Sequence, residues 1–418
     1  MLAVDDMIHV VEPSIALEVL MPGSFRFGGR ALLAALALCA VAGASMPARA
    51  ADATPFEMYS IQSLTGFGAF LGKAQQDTLQ RLETSINRSG GIKGRPIHFN
   101  FFDDQTNPQV AVQLVNGILT KNSPVLVGPG LTAPCLAVMP LVQGKMVQWC
   151  ASPGIHPDKT SYSFSSSVST TDLVKAFVRY FRGRGMTRIA VLFPTDATGQ
   201  DADKNLAEVL ALPENKDIKV VAHEYMNNSD LSVAAQISKI KAANPQALIA
   251  WTIGTPTGTV LHGLSDAGLD IPVALSNANM TFPAMKQWAS FLPKDLYFPG
   301  APFLAGVMGN AQQRVAIQQF LDVTKGQGVQ PDFQTGLIWD PAVLMITALR
   351  ALGPDANATQ IRDYIDKIHD FAGIAGVYDF RDGSHRGLSQ KDVLVMRWDA
   401  AKNNWIAVSK LGGAPESP

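Results

Sequence analysis

The chain has 418 residues, a formal net charge of −1 and only 17% charged residues. That balance excludes the basic surface by which nucleic-acid-binding proteins hold phosphates, so no nucleic-acid partner is expected. The length suits two or three domains of ~100–200 residues each, and 47% hydrophobic residues supply an ordinary globular core.

The N-terminus reads as a targeting segment. Arg26 and Arg30 precede the apolar run Ala31–Ala44, and Ala48-Arg49-Ala50 follows it. Charged, apolar and A-x-A segments in that order make a secretory signal, with cleavage expected after Ala50 and a periplasmic destination. The apolar run is about 14 residues, short of the ~20 that a membrane span needs. Residues 1–20 carry Asp5, Asp6, Glu12 and Glu18, which do not belong in a signal, so the start is expected at Met21. Cys39 leaves with the signal and lacks the small preceding residue of a lipidated cysteine. Cys135 and Cys150 remain. They form one disulfide in an oxidising compartment or are two buried small residues; the sequence leaves both open.

From Ala51 the pattern alternates. Phe56–Leu64 reads as a strand, Gly66–Gly72 as a glycine-rich turn, and Leu79, Leu82 and Ile86 as one face of a helix ending at Ser89-Gly90-Gly91. Pro96–Asp103 is a second strand. Asn107-Pro108 starts a helix bearing Val110, Leu114, Val115, Ile118 and Leu119, and the strands Pro124–Val127 and Lys145–Trp149 follow. After the Ser/Thr-rich stretch Tyr162–Thr170, which reads as a crossover, the series resumes. It runs through helix Thr171–Arg184, strand Arg188–Phe193, a helix from Gly199, strand Lys219–Tyr225 and a helix with Val233, Ile237 and Ile240. Strand Ala247–Trp251, helix Thr257–Ala267 and strand Ile271–Ser276 complete it. Beyond lie helices at Gln312–Lys325, Pro341–Leu352 and Thr359–Lys367, a strand at Val377–Phe380, and a terminal hairpin of Val393–Trp398 with Trp405–Val408. Strands alternating with helices imply parallel sheets covered on both faces. There are too many units for one sheet, so the expected fold is α/β with two lobes, and ligands bind such sheets at the carboxyl ends of their strands.

Two strand ends stand out, V-L-V-G-P-G-L-T at Val125–Thr132 and V-Q-W-C-A-S-P at Val147–Pro153. Each apolar run breaks into Gly, Pro, Ser or Thr, and a helix start beside such loops turns backbone N–H groups towards one spot, which suits an anion such as a carboxylate. Catalytic patterns are missing. The seven histidines show no metal-type spacing such as H-E-x-x-H, and there is no G-x-S-x-G elbow or Walker loop. His156 is the best acid–base candidate, against a plain surface loop. Gly66-Phe67-Gly68-Ala69-Phe70-Leu71-Gly72 follows a strand and opens a helix, but its spacing is G-x-G-x-x-x-G and the acidic residue expected ~20 positions on is missing. A ligand loop is the better reading than a dinucleotide site. No enzyme activity, cofactor or metal is expected.

These residues resemble a family: Ser63-Leu64-Thr65-Gly66, Ile86-Asn87 with Gly90-Gly91-Ile92-Lys93-Gly94, Asp103-Asp104 followed by Pro108, Val127-Gly128-Pro129, Ala151-Ser152-Pro153 and Asp266-Ala267-Gly268-Leu269. The chain is similar over 55–410 to the type I periplasmic solute-binding proteins of branched-chain amino-acid (Leu/Ile/Val) ABC importers. The resemblance implies two Rossmann-like lobes with parallel sheets, joined by a three-crossover hinge and closing on a ligand. It places lobe 1 at 52–166 plus 301–375 and lobe 2 at 167–300 plus 376–410, with crossovers near Phe164–Ser169, Phe298–Pro302 and Ile374–Tyr378. A monomer working with permease and ATPase subunits is implied, or a periplasmic sensor of the same fold; an NAD-dependent oxidoreductase is the remaining alternative.

The resemblance also assigns Leu131, Thr132, Ala151, Ser152 and Pro153 to the ligand's carboxylate. Leu71 stands in the glycine-rich ligand loop. On the second lobe the chain departs from the pattern. Asn277 stands where amino-acid binders carry the acid that pairs with the α-ammonium, and Thr198 and Ile253 stand where ligand-facing tyrosines are frequent. Asp196 or Asp201 could substitute as the acid, but neither falls on the motif. Phe70, Trp149 and Trp251 lie near strand ends, facing the cleft or filling the core. Without its counter-charge a buried ammonium is costly, so the expected ligand is an aromatic or aliphatic carboxylate or an amide, with an amino acid as the family's alternative.

Overall fold

The computed structural model describes residues 54–325 and 330–416; the expected signal and start codon lie outside the described residues. The first sheet is built from β1 (Phe56–Gln62), β2 (Ile97–Asp103), β3 (Val125–Val127), β4 (Val147–Cys150) and β5 (Ser163–Ser165), with α1 (Ala69–Arg88), α2 (Pro108–Leu119) and α3 (Thr132–Val142) between them. Its order is β2-β1-β3-β4-β5, all parallel. Leu71, Leu79, Leu82 and Ile86 put one stripe of α1 into the core, and the helix stops where Gly91 takes φ +62, with Arg95 so close that no Cβ would fit. Asn107 caps α2 by accepting from the Gln109 N–H at 2.8 Å.

The second lobe follows in the same alternation. It comprises α4 (Thr170–Gly183), β6 (Arg188–Pro194), α5 (Ala197–Leu210), β7 (Lys219–Met226), α6 (Ala234–Ala242), β8 (Ala247–Ala250), α7 (Thr255–Asp266), β9 (Val273–Leu275), α8 (Phe282–Gln287) and β10 (Leu296–Gly300). The chain then returns to the first lobe through α9 (Ala311–Thr324), α10 (Phe333–Leu337), α11 (Trp339–Leu352) and α12 (Ala358–Ile365). These helices pack on the first lobe; Arg350 donates to the Gly91 carbonyl at 2.8 Å, and Tyr162 and Thr359 share a 2.7 Å hydrogen bond. A small hairpin, β11 (Phe371–Ala372) with β12 (Val377–Tyr378), precedes β13 (Leu394–Asp399) and β14 (Asn404–Ala407). The second sheet runs β14-β13-β10-β9-β8-β6-β7, with β13 and β14 antiparallel.

Two segments read from the sequence as crossovers are strands in part. Ser163–Ser165 is the buried edge strand β5, because its hydroxyls find partners: Ser163 donates to Gln148 Oε1 at 2.7 Å and Ser165 to the Ser152 carbonyl at 2.8 Å. Phe298–Gly300 belongs to β10 and pairs with β13, a partner almost a hundred residues away that local pattern does not reveal. Ile374 and Ala375, read as the third crossover, donate from their backbone N–H groups to the buried Asp340 carboxylate on α11 at 2.9 and 3.0 Å, and Tyr378 donates to it at 3.0 Å. The apolar stretch 333–352 is long enough to cross a membrane by composition, but it is largely buried as core helix.

Candidate functional site

The carboxyl ends of both sheets face each other, and the loops that leave them form a cleft. On the first lobe, Asp103 and Asp104 at the end of β2 shape the loop before α1. Asp103 accepts from the Leu64 N–H at 2.9 Å and the Thr65 hydroxyl at 2.7 Å, while Asp104 accepts from Ser63 Oγ at 2.7 Å and the Thr106 N–H at 2.8 Å. Burial pushes the Asp104 carboxyl up; Asp103 is also pushed up by burial, but its four donors hold it below the usual carboxylate range. The D-D motif is thus a clamp on the cleft rim rather than a ligand site.

The two loops after β3 and β4 meet at the N-terminus of α3. Leu131 occupies the N-cap and has no side-chain oxygen to cap with. Thr132 Oγ1 and Ser152 Oγ lie 2.7 Å apart, and Ser152 Oγ also accepts from the Gly154 N–H at 3.3 Å. Both side chains are buried, at 2% and 3% exposure. Backbone N–H groups, a helix N-terminus and two hydroxyls around one small space form a donor set for a carboxylate. Cys135 on α3 and Cys150 at the end of β4 are joined by a disulfide with Cα atoms 6.0 Å apart. Of the two readings the sequence left open, the structure has the bond, and it fixes these two loops to each other.

Arg386 supports the same loops from behind. It donates to the Pro153 carbonyl at 3.0 Å, to Ser165 Oγ and the Ser167 carbonyl at 3.0 Å each, and to the Ile155 carbonyl. Burial lowers its pKa to about 10, opposed by the carboxylates of Asp201 and Asp172, so it remains a cation at neutral pH and adds positive potential beneath the carboxylate loop.

The second lobe contributes the opposite wall. Leu71, Leu131, Thr132, Ala151, Ser152, Pro153, Thr198, Trp251, Ile253 and Asn277 come together around one small pocket. Two named residues do not share that lining. Trp149 is wholly buried, stacked on Phe164 at 5.2 Å and edge-on to Phe380 at 5.9 Å. Phe70 instead joins Phe67, Leu71, Leu131, Ile253 and Ala278 in the apolar contact between the lobes. Trp251 is both lining and core, at 1% exposure and edge-on to Phe177.

Several lining residues were not singled out by the sequence: Thr170, Ser276, Ala278, Phe333, Gln334 and Leu337. Gln334 arrives from α10 and connects the walls, accepting from Gln75 Nε2 at 2.7 Å and donating to the Ala278 carbonyl at 3.0 Å. No local signal announces it. Asp201, one of the two substitute acids named from the sequence, also lines the pocket. His156, the acid–base candidate, reaches across to Asp201 at 2.6 Å, so its place is a lobe-to-lobe contact. The lobes also touch where the Phe67 carbonyl abuts Gly254. This is a closed cleft. Among the described residues no group of three or more His, Cys, Asp or Glu could hold a metal.

The family model for periplasmic binding proteins matches residues 60–403. The chain belongs to the periplasmic binding protein family. Its members are solute-binding proteins of extracytoplasmic location, and this one has their two-lobed α/β fold. The chain is 25% identical over 262 residues to the leucine-, isoleucine-, valine-, threonine- and alanine-binding protein of Pseudomonas aeruginosa, covering 60% of this chain and 67% of the relative. It is 24% identical over 217 residues to a Leu/Ile/Val-binding protein homologue of Brucella melitensis, covering 50% of this chain and 57% of the relative. Among solved structures, an extracellular ligand-binding receptor from Rhodopseudomonas palustris HaA2 superposes with a TM-score of 0.75 at 22% identity, covering 84% of this chain and 99% of that one. The substrate-binding protein LivJ of a Streptococcus pneumoniae branched-chain amino acid transporter, solved with isoleucine, superposes with a TM-score of 0.73 at 18% identity, covering 85% and 98%.

Proposed function

We propose that this binding protein captures a small carboxylate-bearing molecule, an amino acid or an aromatic or aliphatic acid, and delivers it to the permease and ATPase subunits of an importer. The observation that carries the reading is the buried Thr132–Ser152 hydroxyl pair, 2.7 Å apart at the uncapped start of α3. The names of the curated relatives, one binding leucine, isoleucine, valine, threonine and alanine and the other a Leu/Ile/Val-binding homologue, support the same reading. The carboxylate docks on the first lobe in the open state; residues 167–300 with 376–410 then swing over it about the crossing segments, and the closed form is the one a permease reads. The protein works as a monomer in the periplasm after cleavage behind Ala50.

The test is differential scanning fluorimetry followed by calorimetry, with aliphatic and aromatic acids, amino acids and the matching primary amides. Acids should stabilise the protein and amides should not. Thr132→Val and Ser152→Ala should each weaken acid binding about tenfold or more, the equivalent of one charge-assisted hydrogen bond. Amides that bind as tightly as acids would overturn the reading.

A further inference from the structure

The closed cleft is unevenly filled. Around the Thr132–Ser152 pair the free space is about 20 Å³, room for a water molecule or the head of a ligand and no more. Farther out, towards the rim, a second cavity of about 170 Å³ lies between the lobes. An apolar cavity of ~150 Å³ is enough to hold a benzene ring. Leu131, Thr198 and Ile253 line both spaces, so the two adjoin. Phe67, Ala133, Pro134 and Pro194 line only the outer one.

The walls of the rim cavity suit an uncharged, flat body. They include the Phe67 ring, the side chains of Leu131 and Ile253, and three prolines, Pro108, Pro134 and Pro194. Proline and aromatic walls are stiff, so little freedom is lost when a ring enters between them. The polar groups of the rim are already engaged with the protein. Thr106 Oγ1 donates to the Thr65 carbonyl at 2.8 Å and accepts from the Gly68 N–H at 3.3 Å. Asp196 Oδ1 accepts from the Thr198 and Gly199 N–H groups at 3.0 and 3.1 Å, and its Oδ2 accepts from Asn228 at 2.8 Å. The charge on this lining is that of Asp196, and a carboxylate there repels a second acidic group.

We infer that the rim cavity seats the body of the ligand, which is a monocarboxylic acid carrying an uncharged ring. Its head lies on the Thr132–Ser152 pair and its ring between Phe67 and the facing prolines. The inference rests on the proposed carboxylate site and adds a selecting element outside it. Phe67 and Pro134 belong to the first lobe, Pro194 and Ile253 to the second, so the cavity is complete only when the lobes are together. A ring that touches both walls holds the cleft shut, which an acid without a ring cannot do. Choice of ligand and closure are thereby joined at the rim.

The experiment compares butanoate with the phenylalkanoates from phenylacetate to 4-phenylbutanoate by calorimetry, using displacement titrations for weak ligands. The proteins are wild type, Ala133→Phe, Phe67→Ala and Thr132→Val. In wild type at least one phenylalkanoate should bind about 30-fold or more tighter than butanoate, the gain from burying a phenylalanine-sized body. Ala133→Phe fills the rim cavity from a position that does not line the carboxylate pocket. It should erase that gain and leave butanoate within about threefold of wild type. Phe67→Ala removes one wall and should weaken the phenylalkanoate about tenfold with the same small effect on butanoate. Thr132→Val should weaken both kinds of acid. Butanoate binding as tightly as every phenylalkanoate, or a ring preference that survives both Ala133→Phe and Phe67→Ala, overturns the rim cavity, while the Thr132→Val effect leaves the carboxylate site standing. If no acid of either kind binds, the carboxylate site falls and the inference with it. Where Ala133→Phe does not fold, the wild-type comparison and Phe67→Ala decide the matter.

Discussion

Gly254 lies at the tightest contact between the lobes, which makes Gly254→Ala a direct test of closure. Its backbone has φ +71 and ψ −137, a region that only glycine occupies at low cost; a side chain there adds about 1–3 kcal/mol of strain whether the cleft is open or closed. In the closed form there is a second penalty. The new Cβ would stand under 3.0 Å from the Phe67 carbonyl oxygen and 3.2 Å from the Phe70 ring. Gly254 cannot retreat easily, since its N–H is held by Asn279 Oδ1 at 3.0 Å. Normal heavy-atom contact near ~3.5 Å then requires the lobes to part by on the order of 1 Å at this point. That stretches the His156–Asp201 contact of 2.6 Å and the Gln334–Ala278 bond of 3.0 Å beyond hydrogen-bonding range. Two such bonds at about 1 kcal/mol each correspond to roughly a 30-fold loss of ligand affinity. Urea denaturation without ligand should read the strain, and calorimetry with ligand should read the loss of closure. A variant whose unliganded stability falls but whose ligand affinity stays within threefold of wild type would refute the claim that the bound form has these lobes in contact.

Three further outcomes follow from the same geometry. Reducing the Cys135–Cys150 bond, or replacing both cysteines by alanine, should destabilise the chain by about 3 kcal/mol, the value for a loop of ~15 residues, and should weaken ligand binding because the bond holds α3 against the end of β4; urea midpoints and calorimetry with and without reductant check both. Burial pushes the carboxyls of Asp332 and Asp340 up to about 6. The folded state then holds more protons than the unfolded one between pH ~4 and ~6, so their contribution is fully present below pH ~4 and is lost as pH rises through about 6. Asp340→Asn should remove its share of that slope from urea midpoints measured between pH 4 and 7, while lowering stability because the amide nitrogen that takes the place of Oδ2 cannot accept from the Ala375 N–H and the Tyr378 hydroxyl. Finally, Arg386→Met leaves the Pro153, Ile155 and Ser167 carbonyls without their donor and should cost a few kcal/mol of stability, with a larger loss in affinity for acids than for neutral analogues, read by calorimetry.

Much of this molecule was written locally. The 3.6-residue stripe of α1, the Asn107-Pro108 start of α2 and the alternation up to Ser276 gave the helices and strands of both lobes, because burial of a repeating apolar face depends on neighbours a few residues away. The loops at Val125–Thr132 and Val147–Pro153 were legible for the same reason: a buried strand that breaks into Gly, Pro and Ser beside a helix start must turn backbone donors outward. Only the tertiary structure decided what depends on distant partners. Trp149 faces the Phe164–Phe380 core rather than the pocket, since side-chain direction on a strand end follows from sheet pairing. Cys135 and Cys150 are bonded because α3 and β4 pack side by side. Gln334 enters the pocket from α10, about two hundred residues beyond those loops. Above all, Asp196 and Asp201 are equivalent in the sequence, five residues apart on one turn and helix. The fold uses one oxygen of the first to cap α5 and the other to accept from Asn228, and leaves one oxygen of the second without a donor near the point where the lobes meet.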